Sequence, residues 1–372
     1  MSGIYIHIPF CASRCIYCDF YSTTLRGKAK EYVDVLLKEY EQRSDFLPSK
    51  EPLRTIYIGG GTPSQLPIRE LIRLLYGIIE KIGADNLEEI TIEANPEDVT
   101  KEWAEGIRSL LNELKENILR ISLGVQSLND NELRLINRRH DSEKPKEAVR
   151  LLREAGVENI SLDLMYGLPT QTLKSWEKSI DGIISMNPEH ISAYCLSIEE
   201  GTQLSKLIEE GILIPADDEL CLEMTELLRT KLKQAGYIQY EISNYCIPNY
   251  ESKHNSSYWD GTPYLGLGPG AHSFDGNYHR VWNIGNLEKY LEGEREEEGE
   301  FLNDDDVFNE KVMLGLRTNK GVSLDIFEHE ETYSVTIKNL EGRGLVTKKG
   351  KNLILTESGL ALADEIIREL MK

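Results

Sequence analysis

Three cysteines fall within eight residues near the start of the chain: Cys11, Cys15 and Cys18. Spaced C-x3-C-x2-C, they offer three thiolates from one short loop. That is enough to hold three irons of a cubane cluster and leave the fourth iron open. Zinc is the competing reading. Structural zinc takes four ligands, and no second cysteine or histidine pair stands at zinc spacing, although His7 and Asp19 could complete a set. An iron with a vacant position can chelate an amino acid through its amino and carboxylate groups. Cys195, Cys221 and Cys246 are scattered among apolar and aromatic neighbours and read as small buried hydrophobes.

Other unusual residues belong with the cysteines. Gly59-Gly60-Gly61-Thr62-Pro63 is neither a Walker loop nor G-x-G-x-x-G. It is a tight turn, or a side-chain-free backbone that a ligand can approach. Glu93 and Asp163 sit in apolar runs, where a buried carboxylate needs a donor; an amino group, a ribose or Arg138 would serve. His254-Asn-Ser-Ser-Tyr258-Trp259 sets an imidazole beside aromatic rings. A hydrogen-bonded structural histidine is the plainer reading of His254.

Composition narrows what these residues can serve. The chain has 372 residues and 63 Asp plus Glu against 42 Lys plus Arg, a net charge of -21. Such a surface repels phosphate backbones, so nucleic acid is not expected as a partner. No run of 18 apolar residues occurs and no basic-then-apolar leader opens the chain, so neither a membrane segment nor export is expected, and the expected location is cytoplasmic. A tight cysteine cluster in that setting means metal or redox chemistry before disulfides.

The elements that must position these residues are legible. Runs rich in Ile, Val, Leu and Tyr at Gly3–Ile8, Arg54–Ile58, Glu89–Glu93, Ile118–Leu123, Asn159–Leu164 and His190–Leu196 read as strands. Helical spacing lies between them: Tyr32, Val33, Leu36, Leu37 and Tyr40 share a face, as do Ile68, Leu71, Ile72, Leu75 and Ile79. A further helix begins near Pro145 and ends at Gly156. Six strand–helix units predict an α/β fold with a parallel sheet, either doubly wound or an incomplete barrel. In either case the cysteines, the glycine run, Glu93, Gln126 and Asp163 gather at the carboxyl ends of the strands, where such folds bind ligands.

Residues 1–235 are expected to form this domain and 236–291 an aromatic, Gly-rich extension laid over it. Residues 292–306 read as an acidic linker. Residues 307–372 read as a winged-helix-like module with a hairpin around Lys349-Gly350-Lys351. From Asp304 to Lys372 there are 13 acidic and 10 basic residues, a net of -3 that is no DNA-binding footprint.

With C-x3-C-x2-C after Tyr5-Ile-His-Ile-Pro-Phe, the triple glycine and the ordered Glu, Gln, Arg and Asp, the chain resembles the radical S-adenosylmethionine (radical SAM) superfamily. Within it, the resemblance runs nearly end to end with the oxygen-independent coproporphyrinogen III dehydrogenase-like group. That dehydrogenase, an oxidative decarboxylase, carries a fourth cysteine two residues past the third and a sizeable segment ahead of its cluster. Here Phe20 holds that position, and only ten residues precede Cys11. The shorter haem chaperones of the HemW type lack both features and carry H-N-x-x-Y-W, as this chain does at 254–259.

The resemblance therefore implies an incomplete (β/α)6 TIM-like barrel with a winged-helix-like module. It also implies haem binding and delivery to an acceptor protein; a homodimer is compatible with it. A [4Fe-4S] cluster would be held by Cys11, Cys15 and Cys18. Tyr5, Tyr17, Gly60, Gly61, Thr62, Glu93, Gln126, Arg138 and Asp163 would surround S-adenosylmethionine, and His254, beside Tyr258 and Trp259 that could cover the porphyrin, would ligate haem, with His272 and Cys246 as rivals.

Overall fold

The computed structural model describes residues 2–25, 27–48, 52–83, 85–115, 117–327 and 331–372. Alternation at period two decides its architecture. In β1 (Ser2–Ile8), Ile4, Ile6 and Ile8 are fully buried on one face, and Gly3, Tyr5 and His7 take the other. The pattern repeats in β2 (Leu53–Gly60) and β3 (Glu89–Ala94), where Ile56, Ile58, Ile90 and Ile92 oppose Thr55, Tyr57, Glu89 and Glu93. It continues in β4 (Leu119–Gln126), β5 (Asn159–Tyr166) and β6 (His190–Cys195), whose inward residues include Arg120, Ser122, Asp163 and Ser192.

Parallel registers set like against like: Tyr5 lies beside Tyr57, Glu93 beside Ser122, Gly124 beside Asp163, and Asp163 beside Ser192. One face of the sheet is thus apolar and the other polar. Helices α1 (Ala29–Arg43), α2 (Ile68–Ile82), α3 (Lys101–Leu111), α4 (Asp130–Leu135), α5 (Lys144–Ala155), α6 (Leu173–Ser185), α7 (Gln203–Glu209) and α8 (Asp218–Gln234) follow the strands. Residues of α1, α2, α3, α5, α6 and α8 join the apolar strand face in one hydrophobic core. As expected, α5 ends on Gly156, which closes it in the left-handed conformation (φ 96°).

Strands one to six lie side by side in chain order, all parallel. A doubly wound sheet reverses its order at a switch point, and this one does not. The fold is therefore the incomplete (β/α)6 barrel, its polar face turned inward.

The second half departs from expectation. Residues 236–291 do not lie over the sheet; they enlarge it. β7 (Ile238–Gln239) and β8 (Asn244–Cys246) extend it beyond β6. After the short helix α9 (Lys253–Trp259), β9 (Tyr264–Leu267) pairs parallel to β1, and β10 (His272–Phe274) and β11 (His279–Asn283) continue antiparallel. The acidic stretch 292–306 is no linker either. Beyond α10 (Leu287–Leu291) it supplies β12 (Glu297–Phe301), the antiparallel edge strand of the 12-stranded sheet, and the start of α11 (Asp304–Leu316). Every residue of β12 is exposed, so its glutamates remain in water and keep the open edge charged.

The C-terminal module has its own core around Val312, Leu316, Leu340, Leu353 and Ile366. It comprises α11, β13 (Val322–Ser323), α12 (Glu331–Gly342), β14 (Val346–Lys349), β15 (Asn352–Leu355), α13 (Glu357–Leu360) and α14 (Ala363–Leu370), with sheet order β13-β15-β14. The arrangement is winged-helix-like, and the hairpin turns at Gly350 as expected.

Candidate functional site

The cysteine loop is pinched at its base. The Cys11 amide donates to the Thr23 carbonyl (2.9 Å) and the Thr23 amide to that of Pro9 (2.7 Å), so residues 11–22 project as one unit beyond β1. Within it the Cys18 amide donates to the Cys15 carbonyl (3.3 Å). All three cysteines are half-buried and free. Burial pushes the Cys11 and Cys18 thiols up, and Cys15 is near enough to add charge repulsion to both.

The glycine run holds this loop in place. A Cβ on Gly61 would lie 2.8 Å from the Ile8 carbonyl oxygen, and the Gly61 amide donates to that same oxygen at 2.8 Å. Gly60 has φ +105°, and a Cβ there would strike the His7 ring at 2.5 Å. The protein's own packing thus accounts for these glycines. The next residue, Thr62, is buried, with Oγ1 3.4 Å from Cys11 Sγ and 3.4 Å from Asn95 Nδ2, which donates to it.

Arg138 closes the other side. It donates to Cys15 Sγ (3.6 Å), to Asn95 Oδ1 (2.7 Å) and to the Gly124 carbonyl. Its Nε is buried with no partner, a donor that an incoming carboxylate would satisfy. Gln126 adopts φ 66° at an irregularity in the β4–β5 register, which turns the chain at the strand's carboxyl end. Tyr17 packs beside Ile16 and Ile136, close to Cys15 and Arg138.

The two carboxylates are held by the barrel. Arg138 partners neither of them, contrary to one expectation. Glu93 accepts from the Tyr57 hydroxyl (2.7 Å) and the Gly60 amide (3.2 Å). Burial pushes its carboxyl up to about 7, reinforced by Asp163 and opposed by these donors and by Arg120. Asp163 accepts from Ser122 (3.0 Å) and Ser161 (3.3 Å); burial raises it too, against the pull of Arg120. Tyr5 donates to His7 Nδ1 (3.1 Å), because His7 Nε2 must donate to the Tyr21 carbonyl (2.8 Å). With both nitrogens engaged, His7 is no zinc ligand. Among the described residues no three His, Cys, Asp or Glu side chains converge on the position of a single ion.

His254 stands elsewhere. Glu89, the first residue of β3, accepts from the Ser252 hydroxyl (3.2 Å) and from the amides of Lys253 (2.9 Å) and His254 (3.0 Å), anchoring the start of α9. This fixes His254 at the amino ends of the strands, opposite the cysteines. It is fully buried, with Nδ1 2.8 Å from Thr55 Oγ1 and Nε2 2.9 Å from the Tyr258 hydroxyl. Burial pulls its pKa down to about 3, helped by Arg120. Neither nitrogen is free for iron, so the expected haem ligation by His254 does not fit; the structural reading does. Its rival Cys246 is likewise fully buried, in β8. His272 is exposed and stacks on Trp282, ring centroids 5.5 Å apart.

Sequence reasoning assigned no role to Arg120, Asn95 or the inward serines, and considered His7 only as a zinc ligand. The period-two pattern of β4 and β5 carried the signal, since polar residues on one face of a parallel strand mean a polar interior.

Comparison with known proteins fits this geometry. The Radical SAM superfamily pattern matches residues 5–183, and the HemN C-terminal domain pattern matches residues 302–362. A Lactococcus lactis protein named Heme chaperone HemW is 34% identical over 381 residues, covering 100% of this chain and 97% of its own. The chain belongs to the HemW family. A HemW of Bacillus subtilis is 36% identical, covering 98% of each chain. Among solved structures, the Escherichia coli coproporphyrinogen III oxidase HemN, a radical SAM enzyme, superimposes with a TM-score of 0.81 at 24% identity, covering 100% of this chain and 90% of that one. This chain thus shares its fold with that oxidase. No helix among the described residues is long and apolar enough to cross a membrane.

Proposed function

We propose that this protein is a haem chaperone, which binds haem and passes it to an acceptor protein. Full-length similarity to proteins named as haem chaperones carries this reading. In the same reading the protein works in the cytoplasm, where its free thiols stay reduced.

Cys11, Cys15 and Cys18 would hold a [4Fe-4S] cluster with one open iron, where S-adenosylmethionine docks; once reduced, the cluster can supply one electron to the sulfonium. The buried, unpartnered Arg138 Nε supports a carboxylate beside the cysteine loop. The Gly60 carbonyl and Glu93 would take the ammonium. Thr62 and Gly61 keep the loop registered, Tyr5 buttresses His7, and Tyr17 would cover the adenine. Gln126 and Asp163 would meet the ribose, Asp163 from within the barrel.

Haemin titration of anaerobically reconstituted protein, alongside an assay with coproporphyrinogen III, tests this. The expected result is about one haem per chain and no decarboxylation. Turnover of coproporphyrinogen III, or no haem binding, would overturn it.

A further inference from the structure

The face of the sheet that lines the barrel continues past β1. Tyr264, Phe274, His272, Trp282 and Arg280 share it, because Phe274 pairs with both Tyr264 and Arg280, and His272 with Trp282. This outer part of the sheet, α9 and the C-terminal module enclose a cleft of about 1500 Å3. Small-molecule pockets run to roughly 300–1,000 Å3, so this one suits a broad, flat ligand. Its walls are aromatic: Trp259, Tyr264, Phe274 and Trp282 line it, with Met313 and Ile326 from the C-terminal module.

Two further features select the ligand. His272 is the only histidine among the described residues that line the cleft, and no cysteine does. It is exposed there and braced by Trp282. An exposed imidazole there can offer a ring nitrogen to iron. Lys311 and Lys320 also line the cleft and make no ion pair among the described residues, unlike Arg280, which is held by Glu300 (3.0 Å) and Glu310 (2.9 Å). Two free ammonium groups on so acidic a protein complement a ligand with two carboxylates.

Haem combines a flat apolar ring, an iron and two propionates. The geometry points to this cleft as the haem site, with His272 ligating the iron, Trp282 bracing it, and Lys311 and Lys320 facing the propionates. The inference rests on the haem-chaperone reading above. It moves the HNxxYW segment from ligand to wall: His254 locks α9 to the barrel, and Trp259 lines the cleft. Only β9 separates β10 from β1, whose His7 ring packs against Gly60, so the cleft adjoins the proposed S-adenosylmethionine site.

Haemin titrations of full-length wild type, His272→Ala and the Lys311→Glu/Lys320→Glu double variant test this, read by tryptophan quenching and by electron paramagnetic resonance of the ferric haem. His272→Ala is expected to bind about tenfold more weakly or worse and to lose the wild-type axial-ligand signature. The lysine variant should weaken binding several-fold with that signature intact. If His272→Ala keeps both affinity and signature, the site is wrong while the chaperone reading stands. If wild type binds no haem, the chaperone reading itself fails.

Discussion

Arg138 donates to the sulfur of Cys15 across 3.6 Å, joining the segment after α4 to a loop 123 residues earlier in the chain. The same guanidinium holds Asn95 and Gly124, so one side chain registers the carboxyl ends of β3 and β4 against the cysteine loop. Because N–H···S bonds and nearby positive charge favour the reduced cluster, Arg138→Gln should lower the midpoint potential. A charged hydrogen bond worth roughly 1.5 kcal/mol corresponds to about 60 mV for one electron. Redox titration of reconstituted protein checks this; an unchanged potential would show that Arg138 does not face the cluster.

Glu93 should make S-adenosylmethionine binding depend on pH. With its carboxyl at about 7, the free protein holds a proton there in mildly acidic solution, and docking an ammonium favours the ionised form. Affinity should therefore fall as pH drops from 7 towards 5, by at most about tenfold per unit. Glu93→Gln should bind more weakly at pH 7.5 and show a flatter profile. Calorimetry across this range decides it; parallel profiles would remove Glu93 from the site.

The barrel was legible in the sequence, and the far side of the sheet was not. All six strands were anticipated within a few residues, because inward and outward residues alternate and the outward ones are nearly all Ile, Leu or Val. The gathering of Cys11, Gly60, Glu93 and Gln126 followed from the rule that parallel strands present their carboxyl ends together. Residues 264–301 misled for a physical reason. β9 and β10 are only four and three residues long, and β12 reads Glu-Glu-Gly-Glu-Phe, so none carries the apolar alternation that marks a strand. They are strands because β1 offers an edge that must be paired. His254 could not be placed from sequence, since its partner Thr55 lies 199 residues away.

His254 is predicted to stabilise the fold rather than carry haem. His254→Ala leaves a cavity and strands Thr55 and Tyr258, a loss of about 2–4 kcal/mol by thermal or urea unfolding. Acid should expose the same residue. The native imidazole titrates near 3 and the unfolded one near 6.5, so the unfolded chain binds the extra proton between these values. Stability attributable to His254 is present above pH 6.5 and falls as pH drops towards 3, by about 1.4 kcal/mol per unit. A pH series of unfolding midpoints in which wild type and His254→Ala run parallel would contradict this.

Gly61→Ala should spoil cluster loading without touching a ligand. Its methyl group would press on the Ile8 carbonyl and Pro9 backbone at the root of the cysteine loop, at a cost of about 1–3 kcal/mol. Iron and sulfide content after anaerobic reconstitution should fall well below wild type, while far-ultraviolet circular dichroism stays unchanged. Full loading would show that the loop tolerates displacement.

Three thiols at the barrel mouth would leave one iron of a cluster open to S-adenosylmethionine. Electron paramagnetic resonance of the reduced, anaerobically reconstituted protein, recorded with and without S-adenosylmethionine, tests it most directly. A [4Fe-4S] signal whose g-values shift on adding S-adenosylmethionine, and which is lost in Cys15→Ala, is the predicted result. A signal indifferent to S-adenosylmethionine, or one that survives Cys15→Ala, would contradict it.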